Sequence, residues 1–430
     1  MFQDRYGLDL STQSEAARDA YVAAVDLMLA AEAGAEDKLA EVVASDPAFA
    51  IAHAAIARNH QLMGRIPEAR QSAETAVTLA DGATRREQQH IEIIHRLVSG
   101  RVPESLELTR EHVKAFPRDA FALNPACSVF GTIGFSGRPG REQEQLDLLT
   151  PLRKAYGDDW WFQQVYAFAL LETGDWQSGR AHVERSLAQR PGSPHAAHTF
   201  AHALYEGGEH EEAKAFLSTF LPEMDPASML HCHNHWHYAL LLLSTGEHEA
   251  GWHVLRENCL PGKTDSPAIN VLTDSIAFLW RSMLAGVSQD PAAWQSLIDY
   301  YHQFFPRPIV FVDAHIGLCH AALGNTEALS ACVEELRELG EAGQLPAGTT
   351  AAKLTQGYAA FADQDWNAAI ELLEPVMEDV VRIGGSRAQR DLQANTLIAA
   401  YVNAGRREDA LAFIASQPDR QPGHPVAGIG

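Results

Sequence analysis

A short turn signal recurs along the whole chain, at intervals that exclude most folds. It reads GRIPEA at Gly64, GRVPES at Gly100, GDWQSG at Gly174, GEHEEA at Gly208, GEHEAG at Gly246, GNTEAL at Gly324, QDWNAA at Gln364 and GRREDA at Gly405. Weaker copies, GRPGRE at Gly137 and GVSQDP at Gly286, fill the two gaps. The successive intervals are 36, 37, 37, 34, 38, 40, 38, 40 and 41 residues. Between the turns the chain is rich in Ala, Leu, Glu and Gln, and no stretch alternates as a strand would. A helix, a turn and a second helix fill such an interval, because a glycine there can take the left-handed conformation that ends the first helix. One such hairpin cannot bury its apolar face alone. Neighbours must stack into a superhelix with a concave inner surface.

This period and turn are the tetratricopeptide layout. The expected fold is therefore all-α, a tetratricopeptide-like superhelix of about nine to ten helical hairpins. A small residue follows six of the turns by five places (Ala69, Ser105, Gly179, Ala213, Gly251, Ala410), where the second helix must approach the first. Pro117 and Pro191 each fall 17 residues after their turn glycine, where the second helix should stop. Residues 1–48 are expected as lead helices, 49–415 as the solenoid and 416–430 as a flexible tail.

Charge narrows the partners. Lys and Arg number 33 against 56 Asp and Glu, a formal net charge of −23, so nucleic acid and anionic membranes are poor partners. The N-terminal stretch lacks a basic region followed by an apolar run, and no apolar run approaches the roughly 18 residues of a membrane span. The five cysteines (Cys127, Cys232, Cys259, Cys319, Cys332) form no C-x-x-C motif and read as reduced and buried in a cytoplasmic protein.

Histidine is the compositional outlier: there are twenty, and four alternate in HCHNHWHY at 231–238. In stacked hairpins the first helix lines the concave face, at about 13, 10, 9 and 6 residues before the turn. Those counts select His195, His198, Thr199 and His202 before Gly208, and His233, Trp236, His237 and Leu240 before Gly246. They select His315 before Gly324, and Trp280 before Gly286 with Asp274 and Arg281 one residue to the side. His198/His202 and His233/His237 are i,i+4 pairs, each on one helix face, and two such pairs on adjacent helices can converge on a metal. The expected ligands are His198, His202, His233, His237 and His315. His231 and His235 point the other way, toward their own hairpin partner.

Other segments carry less. GGSRAQRD at 384–391 offers a Gly-Gly-Ser helix start with arginines, suited to a carboxylate or phosphate or simply to an N-cap. TRREQQH at 84–90 reads as a capping box from Thr84 to Glu87. Asp313, two residues from His315, points elsewhere on its helix and suits orientation of a neighbour rather than ligation. There is no H-E-x-x-H, Walker loop or nucleophile elbow, and Cys232 on a helix side is a poor thiolate nucleophile.

With TRREQQH, HTFAH, CHNHWHYALLLLSTGEHEAG, TDSIAFLWR, FVDAHIGL and GGSRAQRD in order along the chain, the sequence resembles the tetratricopeptide repeat protein 38 (StaR-like) family. The resemblance spans roughly residues 45–415. Its pattern falls on His198, His202, His233, Asn234, His237, Asp274, Arg281, Asp313, His315, Gln389, Arg390 and Asp391, and implies a site on the concave positions found from the repeat.

Together these readings give a solenoid around a polar pocket holding a transition metal (Fe, Zn, Mn or Cu). In it His198, His202, Asp274 and Asp313 would act as acid–base or orienting groups. Arg281, Arg390, Asp391 and Asn234 would bind a small molecule between walls formed by Trp161, Trp236 and Trp280. Activation of water for hydrolysis or of O₂ for oxygenation would suit such a centre. The rival is a non-catalytic scaffold whose groove takes a peptide or protein, and a third reading makes the histidines a pH sensor. A homodimer is compatible with either of the first two.

Overall fold

The computed structural model describes residues 2–288, 290–417 and 420–429. Each expected turn is a turn: the nine glycines and Gln364 all have positive φ, between 61° and 96°. The chain is an all-α, tetratricopeptide-like superhelix. Ten hairpins follow one another from Ala50–Leu62 paired with Ile66–Thr78 to Arg387–Asn403 paired with Arg407–Ala415. The small residues after the turns are buried, and at Gly251 an added Cβ would meet Ala239 O at 3.0 Å. The helices before Pro117 and Pro191 end at Ala115 and Gln189.

The helices that build the interior are α1 (Glu15–Ala30), α2 (Trp160–Glu172), α3 (Pro194–Glu206), α4 (His231–Ser244), α5 (Ala268–Leu284), α6 (Val310–Leu323) and α7 (Arg387–Asn403). Their starts are set locally. Ser193 caps α3 with Pro194 in its first turn, Asp159 caps α2, and Ser386 with Gln389 forms a reciprocal capping box on α7. The Thr84–Glu87 capping box is present as expected.

Four features differ from the sequence reading. A two-residue antiparallel pair, β1 (Phe2–Gln3) and β2 (Asp9–Leu10), precedes α1. The lead segment is itself a hairpin, α1 with Ala35–Ser45. The third repeat has no full first helix: Ala120–Leu123 stops at Asn124–Pro125, because proline cannot donate the next helical hydrogen bond. The C-terminal residues are not a free tail. Residues 420–429 lie against α3, α5 and α7, and Val426 is buried.

The superhelix also closes on itself. The α1 hairpin docks where the fourth repeat meets the fifth and the fifth meets the sixth, through Arg190–Glu32 at 2.7 Å, His195 Nδ1–Leu29 O at 2.9 Å and Ser228 Oγ–Ala31 O at 2.7 Å. Arg141 of the third repeat donates to Val381 O at 2.7 Å and to Gly385 O, beside α7. Helix α7 packs across α3 and α5, so the inner face around the histidines is covered by helices rather than open as a trough. No described helix is long and apolar enough to cross a membrane.

Candidate metal centre

Four of the five expected histidines converge. His198 and His202 of α3 and His233 and His237 of α4 each offer a ring nitrogen, and these four atoms lie within 4.8 Å of one another. His198 Nε2 is 3.0 Å from His202 Nε2 and 3.1 Å from His233 Nε2. An ion bound tetrahedrally at 2.0–2.1 Å would space its nitrogens about 3.4 Å apart. All four side chains are buried.

The protons do not satisfy this arrangement. His233 Nδ1 lies 2.7 Å from Asp274 Oδ2, which assigns the proton there and leaves Nε2 a lone pair facing His198. His198 Nε2 meets two ring nitrogens and can share one proton with only one of them. His237 Nε2 and His202 Nδ1 have no partner. Burial holds His198 and His237 well below the usual histidine range, and the neighbouring rings push the same way. It brings His202 down to about 3. His198, His202 and His237 are thus held as neutral imidazoles in a buried all-nitrogen cluster, the chemistry of a borderline divalent cation.

Asp274 sits behind His233 and orients it; its second oxygen, Oδ1, is buried without a partner. Trp236 stacks on His233 with ring centroids 5.2 Å apart and planes at 15°. Arg281 lies over Trp236 at 5.5 Å and donates to Ala388 O and Gln389 O in the first turn of α7. Its Nη1 and the Trp236 Nε1 are buried and unpartnered.

Other expected site residues lie elsewhere. His315 is not in the cluster: its Nδ1 bonds Phe311 O at 2.7 Å, and α6 stands two repeats beyond α4, too far at 8–10 Å per packed helix to share an ion. Asp313 orients no histidine; it accepts from Tyr301 Oη at 2.7 Å and Ile309 N at 2.6 Å, holding the start of α6. Trp161 packs on Tyr156 and Phe162 in the N-terminal core. Trp280 ties α5 to α7 through Thr396 at 2.9 Å and is core rather than pocket wall. Asn234 faces away, its amide donating to Pro194 O at 3.1 Å. His231 and His235 pair with each other on the far side of α4, as their register required.

The arginine-bearing helix start already holds a carboxylate, one of this chain's own. The Arg387 N–H donates to both oxygens of Glu172 at 3.1 Å, and burial pushes Glu172 up to about 7. Arg390 bonds Gly385 O and Glu142, so it is not free for a substrate carboxylate. Asp391 accepts from Tyr205 Oη at 2.9 Å and from Arg420. Sequence reasoning passed over Glu206, Glu172 and Arg420. Glu206 alone carried a signal, standing one helical turn beyond His202 on the face that already held two histidines.

A tetratricopeptide repeat family model matches residues 146–229. Among solved structures, the chain is similar to the human IFIT1 dimer with m7Gppp-AAAA, at 11% identity over 85% of this chain and 89% of that one, with a TM-score of 0.42. It is also similar to the P58(IPK) TPR domain, at 14% identity over 94% of this chain and 99% of that one, with a TM-score of 0.22. No ligand or partner is carried over from either.

Proposed function

We propose that this protein is a tetratricopeptide-like scaffold built around a four-histidine centre for a divalent transition-metal ion. The observation that carries the reading is the approach of His198 Nε2 to two other ring nitrogens, at 3.0 and 3.1 Å, in a buried cluster of four imidazoles. An all-nitrogen set with its carboxylate, Asp274, behind a ligand suits Zn²⁺, Fe²⁺ or Cu²⁺ better than oxygen-preferring Mn²⁺. Four ligands fill a tetrahedral ion, which favours a centre that fixes α3 against α4 and leaves binding to the scaffold. A peptide on the inner face would have to displace α7, so a protein partner would dock on the outer surface or the rims.

A catalytic reading is favoured by one observation: Asp274 Oδ1, Arg281 Nη1 and Trp236 Nε1 are buried beside the histidines without partners. Arg281 Nη1 and Trp236 Nε1 would donate to an anionic group of a small molecule and Asp274 Oδ1 would accept from a hydroxyl or N–H of the same molecule, next to an ion held by three of the four histidines. The resemblance to the tetratricopeptide repeat protein 38 family, whose pattern falls on these same positions, supports a specific role for the centre in either case.

The test is metal content by plasma mass spectrometry on tag-free protein purified without chelator, beside a His233→Ala/His237→Ala variant. Near-stoichiometric metal that is lost in the variant is expected. Wild-type protein that stays metal-free after reconstitution with Zn²⁺, Fe²⁺ and Cu²⁺ would overturn the proposal.

A further inference from the structure

Residues 420–429 form no helix or strand, yet they run across the C-terminal ends of the three helices that carry the centre. Gln421 N donates to Glu206 O at the end of α3 at 2.9 Å. Gly423 presses on Ser244 at the end of α4, where an added Cβ would stand 2.7 Å from the serine Cβ. Ala427 N donates to Leu284 O at the end of α5 at 2.9 Å. Deeper on the same helices lie His198 and His202, His233 and His237, and Asp274 and Arg281. On α3 the series His198, His202, Glu206 advances one turn at a time along one face.

The segment is fastened chiefly by one side chain. Arg420 reaches into a pair of buried carboxylates, bonding Glu206 at 2.8 and 2.6 Å and Asp391 at 2.6 and 2.9 Å. His424 Nδ1 adds a contact to Asn395 Oδ1 at 2.8 Å, and Val426 an apolar one. Few backbone hydrogen bonds and two apolar anchors, buried Val426 and half-buried Ile429, place such a segment at the low-stability end of the structure, able to open while the helices stay folded.

We propose that residues 420–429 are a displaceable lid over the four-histidine centre, latched by Arg420 between Glu206 of α3 and Asp391 of α7. The lid deepens the reading of the histidines as a ligand site by supplying its entrance. Its test uses no metal, so the two can fail separately.

Metal-free protein is treated with diethyl pyrocarbonate, which acylates neutral imidazole, and modification is located by peptide mass spectrometry. Exposed His253 serves as the internal standard. Arg420→Gln removes the latch, and Gly423→Val lifts the lid off Ser244 without stranding a carboxylate. Both are expected to speed modification of His198 and His202 about tenfold or more relative to His253. Unchanged rates in both variants would overturn the lid. Native-state hydrogen exchange on the wild-type chain tests it without any substitution. The Gln421 and Ala427 amides are expected to exchange through an opening that leaves α3 and α5 protected; exchange only together with those helices would refute it.

Discussion

The neutral state of His202 makes a quantitative prediction about acid. Burial brings this residue down to about 3, whereas a histidine in the unfolded chain titrates near 6.5. Between those values the unfolded chain carries a proton that the folded chain lacks. Its contribution to stability is therefore complete above about pH 6.5 and is lost progressively as pH falls toward 3. At pH 5.5 the unfolded state gains RT ln(11/1.1), that is RT ln 10 or about 1.4 kcal/mol, relative to pH 7.5. Glutamine has similar reach and cannot titrate. In metal-stripped protein, His202→Gln should lose about 1.4 kcal/mol less than wild type between pH 7.5 and 5.5, whatever its stability at the upper value. Groups that His202 does not perturb cancel in this difference, including Glu172, which is pushed up to about 7 and works with the opposite sign. The assay is urea unfolding of both proteins at the two pH values. Equal losses would mean that His202 accepts a proton in the folded centre, and the account of a neutral imidazole there would fail.

Asp274→Asn should weaken metal affinity by about 10–100-fold by freeing the His233 tautomer, read by competition with a chromophoric chelator. Asp313→Asn is the contrast: it should cost about 1–2 kcal/mol of stability through Tyr301 and Ile309 and leave the same competition curve unchanged. Gln364→Gly should stabilise by about 1 kcal/mol in thermal or urea unfolding, because Gln364, unlike the nine repeat-turn glycines, holds a left-handed backbone with a Cβ. Gly251→Val should destabilise by about 1–3 kcal/mol by forcing two helices of the sixth repeat apart.

The repeat was legible because its signals are local. A turn residue with positive φ and a small residue five places on are decided within one hairpin, and counting back from the turn found both histidine pairs. The count failed where placement depends on how repeats accumulate. His315 occupies the right register on α6, but register says which way a residue faces and not which repeat it can reach. Trp161 and Trp280 have inner positions, yet α7 and the α1 hairpin arrive from distant sequence to cover that face. Nothing near Arg390 or Asp391 announces Glu142 or Arg420 as partners. The closing segment was read as a tail because glycine and proline lack helical pattern, although extended chain can be held by a single buried arginine.

Closure of the superhelix also bears on how the chain folds. An open array of repeats can form from any point and spread to its neighbours, and loses little when an end is removed. Here Arg190 with Glu32 and Arg141 with Gly385 join residues 158 and 244 positions apart. Such long-range contacts slow folding, because loop-closure entropy is lost before they form. They also couple the α1 hairpin to mid-chain repeats and the third repeat to the start of α7, so removing either partner would loosen a distant repeat as well as its neighbour. An open, uncurled superhelix would then precede these long-range contacts on the folding pathway.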